Sequence, residues 1–174
     1  LKMVRKNGTS FFADVVAHVV SVAGEQRILS VTRDVTERVL AEEATRASER
    51  KYRTVFETAG DGAFLETIDG RIIDVNKSAC GMLGYTRKEL LGKNVADLVP
   101  SEARPLLPRV IDAIMKYREF RGEAVNVRKD GRAVPVEIAA VLVDTDEGPL
   151  VLALVRDITE RKAAEQALRY EKER

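Results

Sequence analysis

The segments Val4-Arg5-Lys6-Asn7-Gly8 and Val127-Arg128-Lys129-Asp130-Gly131 lie 123 positions apart in a chain of 174 residues. The same offset relates Ala17 to Ala140, Leu29 to Leu152 and Ala41-Glu42 to Ala164-Glu165. It also relates Thr32-Arg33-Asp34-Val35-Thr36-Glu37-Arg38 to Val155-Arg156-Asp157-Ile158-Thr159-Glu160-Arg161. No gap is needed, so residues 4–42 are a second copy of residues 127–165. Solenoid units run to about 20–50 residues. A longer offset therefore signals a repeated domain segment, and whatever local structure one copy forms the other should form too.

Each copy has the same strand grammar. Asn7-Gly8 and Asp130-Gly131 are strong hairpin turns. After the second turn Val134, Val136, Ile138, Ala140 and Leu142 alternate, and after the first Phe11, Ala13, Val15, Ala17 and Val19 do so. Period-two alternation beside a tight turn predicts a half-buried antiparallel strand. A further turn follows near Gly24 and near Gly148-Pro149, and then the apolar runs Ile28–Arg33 and Leu150–Arg156. Asp34 and Asp157 end those runs, and Glu37 and Glu160 follow three residues later. This is capping-box spacing with Asp in place of Ser or Thr, and Thr36 and Thr159 are alternative N-caps. Arg38 and Arg161 stand close enough in sequence for Arg161 to pair with the Asp157 carboxylate. Both sites read as strand-to-helix junctions.

Residues 36–58 form one predicted helix. Leu40, Ala44 and Ala47 make a narrow seam at coiled-coil spacing, and Tyr52, Val55, Phe56 and Ala59 make a wider apolar face. At 1.5 Å per residue such a helix is roughly 33 Å long. Ala63–Thr67, the Asp69-Gly70 turn and Arg71–Val75 predict a hairpin. Short helices follow at Asn76–Gly84 and Thr86–Leu91, ended by Gly84 and Gly92, with a helical turn at Asn94–Val99. Leu107, Val110, Ile111, Ile114 and Met115 mark an amphipathic helix to about Tyr117, its start limited by Pro105 and Pro108.

Composition narrows the functional classes. Lys+Arg is 29 and Asp+Glu 28, a net charge of +1 that gives no reason to expect a nucleic-acid partner. No apolar run approaches the ~20 residues of a membrane span, and no signal peptide is visible. The one cysteine, Cys80, has no internal disulfide partner, which suits a reducing cytoplasm. The chain opens at Leu1 in mid-pattern and reads as a piece of something longer.

Residues 51–158 resemble a PAS domain of the S-box type. The resemblance rests on Lys51-Tyr52-Arg53 with Phe56, Asp61-Gly62, Asp69-Gly70-Arg71-Ile72, Val75-Asn76, Gly84-Tyr85, Glu89-Leu90 with Gly92, Arg128-Lys129-Asp130-Gly131 and Val155–Arg161, all in the family's order. It implies an α+β fold: a five-stranded antiparallel sheet with short helices on one face, flanked by long signalling helices. It also implies a small cavity between sheet and helices, and a signal passing from that cavity through the exit helix to a downstream effector in the same chain. Residues 1–35 resemble the last strands of a preceding, incomplete PAS domain. The organisation expected is then 1–35, a linker helix at 36–58, a complete domain at 59–158, and an exit coiled-coil helix starting at 159–174.

The expected signal junctions are Asp34, Thr36 and Arg38, and Asp157, Thr159 and Arg161. The expected cavity lining is Phe64, Ile73, Val75, Leu83, Val110, Ile114, Met115, Ile138, Leu152 and Leu154. Two readings of that region stay open: a packed core in a pure relay module, or a receptor for a small apolar ligand, with no convergent polar group evident to hold a charged one. Haem and flavin are disfavoured, and no cofactor is expected. Cys80 lacks the Asn-Cys-Arg setting of light-sensing relatives. His18 aligns with Val141 on the face opposite Phe11, Val15 and Val19, and the chain has no Trp. Asp144-Thr145-Asp146-Glu147-Gly148 reads as a hairpin turn rather than a calcium loop. With no histidine in 51–158 and no phosphate-binding or metal motif, a non-catalytic module is expected. It should form a homodimer through helices 36–58 and 159–174. The parent expected is a sensor histidine kinase, with a diguanylate cyclase as the alternative.

Overall fold

The computed structural model describes residues 1–172. The exit helix expected over 159–174 is described from Thr159 to Lys172, and Glu173 and Arg174 lie outside the described residues. The chain divides into two compact units, one from Leu1 to Arg53 and one from Thr54 onward.

The first unit is an antiparallel sheet of three strands, β1 (Lys2–Val4), β2 (Ser10–Val22) and β3 (Glu25–Asp34), in the order β1-β2-β3. The pairing of β2 with β3 runs from Ala13↔Asp34 to Val22↔Glu25, so Ala23-Gly24 is a two-residue loop. Both loop residues have positive φ, 54° and 84°, which is the type I′ geometry that matches strand twist. The half-buried strand expected from the alternation of Phe11, Ala13, Val15, Ala17 and Val19 is covered only at its start. Ala13 is buried, whereas Val19 is 67% exposed and Ile28 of β3 is 75% exposed. The alternation is present, but within this unit no second layer covers the sheet among the described residues. Helix α1 (Thr36–Thr58) follows as predicted, and Phe56 is its one buried residue.

The second unit opens with the hairpin β4 (Gly62–Thr67) and β5 (Ile72–Val75). Helices α2 (Lys77–Leu83), α3 (Arg87–Leu90) and α4 (Leu107–Tyr117) follow, with 3-10 turns at Val95–Leu98 and Arg104–Leu106. Strands β6 (Glu119–Val127), β7 (Ala133–Thr145) and β8 (Gly148–Asp157) complete the sheet, and helix α5 (Thr159–Lys172) leaves it. The five strands are antiparallel in the order β5-β4-β8-β7-β6, so the last strand enters between the first hairpin and the second. This is the α+β architecture expected.

Local chemistry explains the element ends. Thr86 caps α3 in a full capping box with Glu89, and Asn94 does the same with Asp97. Pro105 and Pro108 fall in the first turns of the Arg104–Leu106 turn and of α4, where a missing N–H costs nothing. Gly62 has a packing reason: a Cβ there would sit 3.1 Å from Ala79 Cα, so glycine lets α2 press on β4. Asp144 to Gly148 is a hairpin turn, as expected, with Thr145 opposite Gly148.

One side chain ties these pieces together. Asn76, fully buried, caps α2 through its Oδ1, which accepts from Ala79 N–H at 2.9 Å and from Ala63 N–H at 2.8 Å. Its Nδ2 donates to the carbonyls of Phe56 at 3.1 Å and Asp61 at 3.0 Å. The end of α1, the start of β4 and the start of α2 therefore share one amide. Removing it leaves several buried backbone groups unsatisfied, each worth about 1–3 kcal/mol. Asn76→Ala should lower stability by roughly 3 kcal/mol or more, read as a fall in the chemical-denaturation midpoint by circular dichroism. Asn76→Asp should not rescue it, because a carboxylate offers no donor to the Phe56 and Asp61 carbonyls.

Candidate functional site

In the second unit the inner face of the sheet and α4 border a partly open cavity of about 340 Å³. That volume is within the ~300–1,000 Å³ of small-molecule pockets. Strand pairing decides which side chains reach it. Gly62↔Val155, Phe64↔Ala153 and Glu66↔Val151 share one face, as do Ala153↔Ala140 and Val155↔Ile138. Phe64, Ile138, Ala140, Val151, Ala153 and Val155 accordingly form the sheet wall. Val110, Ile111 and Ile114 of α4 close the other side, with Val95 and Leu98 from the 3-10 turn.

Of the residues expected to line a cavity, Phe64, Val110, Ile114 and Ile138 do so. Val75 and Leu83 are fully buried, but in the packed cluster beside α2 and α3. The other four need correction. Ile73, Met115 and Leu154 are 41%, 47% and 39% exposed, and Leu152 shares the outer face with Leu154. The error in β8 is one of phase. The inward set is Val151, Ala153 and Val155, and the larger leucines point out. On β8 the wall residues are the smaller ones, so side-chain size misleads about which face of this strand is the core. Ile73 loses its inward place to Ile72, and Met115 follows Ile114 on α4 but lies off its buried stripe.

Two buried polar residues also line the cavity, Glu66 and Asn126, and sequence reasoning missed both. Glu66 is only 8% exposed, and its Oε2 has no hydrogen-bond partner among the described residues. A bulge between Leu65 and Glu66 shifts the pairing of β4 with β5, while pairing with β8 stays regular and keeps Glu66 inward. Burial pushes its carboxyl up from 4.5 to about 8, and no cation offsets that effect. The available signal was strand phase: Phe64 and Glu66 occupy alternate positions, so a carboxyl stands where an apolar side chain belongs.

Cys80 is half-buried on α2, outside the cavity wall, and burial pushes its thiol up from the usual range. His18 is an exposed residue of β2.

The two junctions are built alike. Asp34 Oδ1 accepts from Thr36 N–H at 3.0 Å and from Thr36 Oγ1 at 2.6 Å. Asp157 Oδ1 accepts from Thr159 N–H at 2.8 Å and from Thr159 Oγ1 at 2.5 Å. Each Asp thus binds the first helical residue, two positions on. The capping box expected with Glu37 or Glu160 does not form, since the first intrahelical acceptors are Val35 and Ile158. The Thr36 hydroxyl holds the Asp34 carboxyl below the usual carboxylate range.

The surroundings differ between copies. Asp34 pairs with Arg5, and Thr36 Oγ1 accepts from Phe12 N–H at 2.9 Å. The counterpart of Phe12 is Pro135, which has no N–H to give. Arg161 does not pair with Asp157. It reaches Glu123 of β6 at 2.9 Å and Glu137 of β7 at 3.6 Å, and Lys162 reaches Glu123 at 2.5 Å. Glu123 and Glu137 stand directly opposite each other, an unfavourable like-charge pair that these two cations offset. Arg38 is exposed in the first turn of α1.

A family model described as a PAS domain matches residues 60–160. The chain is 33% identical over 134 residues to the methyl sulfide methyltransferase-associated sensor of Methanosarcina acetivorans, covering 76% of this chain and 13% of that protein. It is 30% identical over 142 residues to sporulation kinase E of Bacillus subtilis, covering 81% of this chain and 19% of that one. The chain therefore spans less than a fifth of either relative. The solved PAS domain of an HTR-like protein from Haloarcula marismortui aligns with a TM-score of 0.62 at 23% identity, covering 68% of this chain and 98% of that domain, a likeness of fold. No helix of the described residues is long and apolar enough to cross a membrane.

The buried carboxyl predicts how stability varies with pH. Below pH 4.5 Glu66 is protonated whether folded or unfolded, and it contributes no penalty. Between there and about pH 8 the unfolded chain ionises while the folded one stays neutral, so its contribution falls with rising pH. The full slope is about 1.4 kcal/mol per pH unit. Glu66→Gln should be more stable than the parent at pH 8.5, by up to several kcal/mol, and indistinguishable near pH 4. Denaturant titrations at the two pH values check this.

Proposed function

The chain belongs to the PAS domain family, and on that premise we propose that it is a non-catalytic sensor and relay module of a longer signalling protein. In this reading the cavity receives the input and α5 carries the output. One observation carries it: strand β8 does both jobs. Its Val151, Ala153 and Val155 wall the cavity, and its last residue, Asp157, holds the first residue of α5. No loop intervenes, so a sideways or twisting displacement of the cavity wall reaches the helix through a rigid strand. Arg161 and Lys162 tie the same helix turn to β6 and β7, and a change in sheet shape bears on it from two directions. The cavity with its unpartnered carboxyl favours a receptor over a module with a filled core.

The parent protein we infer is a sensor kinase; the sporulation kinase of Bacillus subtilis matches 81% of this chain, which spans 19% of that protein. That match favours a kinase effector over a cyclase. Residues 1–35 act as the closing strands of a preceding PAS domain, and 36–58 as the helix connecting it to the domain at 59–158. The exposed seam of Leu40 on α1 and Leu168 on α5 supports a parallel homodimer through both helices. The lone Cys80 fits a reducing, cytoplasmic setting. No haem or flavin enters this reading, since none of the residues lining the cavity is a histidine, cysteine or tryptophan.

Asp157→Ala tests the relay. Loss of the Asp–Thr contact should cost about 1 kcal/mol, too little to unfold the domain. In the signalling protein that carries the chain, it should abolish the difference in effector activity between the stimulated and unstimulated states. Activity with and without the stimulus, alongside a melting curve, checks both halves. A normal response would reduce the junction to an ordinary helix start.

A further inference from the structure

We propose that the cavity is a receptor site for a small organic amine, a monocation with an apolar body whose ammonium group pairs with the Glu66 carboxylate. This rests on reading the cavity as the input site, and it names the class of ligand.

Glu66 Oε2 is buried without a partner among the described residues, and natural interiors rarely tolerate such an atom unless something else completes it. The walls around it are apolar: Phe64 beside it on β4, Val151 opposite on β8, Ile138 on β7 and Ile114 on α4. The other charged residues lining the cavity are Asp69, in the turn after β4, and Arg104, in the 3-10 turn before α4. Both are exposed, they are opposite in sign, and no ion pair joins Arg104 to Glu66 among the described residues. No lining residue contributed by β6, β7, β8 or α4 is titratable. Glu66 is thus the one buried charge-bearing group in an apolar chamber, and a fitting ligand brings the missing opposite charge.

Ligand chemistry follows from that asymmetry. An anion brings a buried charge that no buried cation of the lining offsets, and it is disfavoured. A neutral alcohol gains one ordinary hydrogen bond from the protonated acid. An ammonium ion gains a charge-assisted bond, roughly twice as strong, and its remaining donors have Asn126, which lines the same cavity, as a second acceptor. Burial holds the Glu66 carboxyl at about 8, so ionising it at neutral pH costs only about tenfold in affinity. The proton balance is explicit. The ammonium ion enters protonated, Glu66 gives up its proton to solvent, and the complex holds one carboxylate and one cation. At pH 7 this releases about 0.9 proton per ligand bound.

The test is calorimetry on the 174-residue chain with butylamine, benzylamine and cyclohexylmethylamine, each against its neutral alcohol. Titrations at pH 7 in buffers of low and high ionisation enthalpy count the protons. At least one amine should bind tenfold or more tighter than its alcohol and release close to one proton. Glu66→Gln and Glu66→Leu should lose at least tenfold in amine affinity and release none, while alcohol binding holds or improves. Alcohols binding as tightly as amines to the parent chain, or unchanged amine affinity in Glu66→Gln, would overturn the inference and leave the cavity as an input site. Binding of neither class to any variant would sink the input-site reading itself, and this inference with it.

Discussion

The second unit depends on a buried amide. Asn76 satisfies two backbone donors and at least two carbonyls from three elements that are not neighbours in any one sheet or helix pair. A buried polar network of this kind is costly when half made and specific when complete. It fixes where the end of α1 meets β4 and where α2 begins. From there α2 can lie close on Gly62, and the inner face of the sheet acquires its helical cover. Arg87 of α3 adds a second polar tie, gripping the buried Asp74 of β5 at 2.7 and 3.0 Å. Helices α2 and α3, pinned over β4 and β5, leave the space between α4 and the middle of the sheet less filled. The cavity is what remains there.

The two copies of the junction separate what the motif does alone from what its context adds. Asp and Thr form the same pair of bonds in both. Around that constant staple the first copy uses Arg5 and the Phe12 amide, and the second uses a ladder of carboxylates on β6 and β7 facing Arg161 and Lys162. The staple belongs to the backbone geometry of a strand turning into a helix. The charges decide how firmly that helix is moored to the sheet beside it.

Much of this was legible beforehand because local signals agreed. The 123-residue offset exposed the duplicated strands. Gly84, Gly92 and the prolines marked element ends, and the Asx and Thr caps fell where helices begin. The cavity was harder. Leu152 and Leu154 are larger and more hydrophobic than Val151 and Ala153, and nothing in β8 alone says which alternate set faces in. Only the pairing of β8 with β4, where Phe64 stands opposite Ala153, resolves it. Glu66 was passed over for the opposite reason. A charged residue in a strand is read as outward, and its burial follows from register with β8. The Arg161 partner was missed because Glu123 and Glu137 are distant in sequence and meet only through the β6–β7 pairing.

The bare sheet of the first unit has a consequence for the chain as a material. Strand β3 carries Ile28 exposed on one side and Leu29 and Val31 on the other, in an apolar-rich run with one unpaired edge among the described residues. Such a run is the kind of segment that stacks with copies of itself into fibrillar aggregates. Here Arg27 precedes it and Arg33 ends it, one cation at each end. Like-charged residues in register along a growing stack repel one another, and residues placed this way act as gatekeepers. Replacing either arginine with a neutral residue would leave the folded strand intact and remove a guard against amyloid-like assembly.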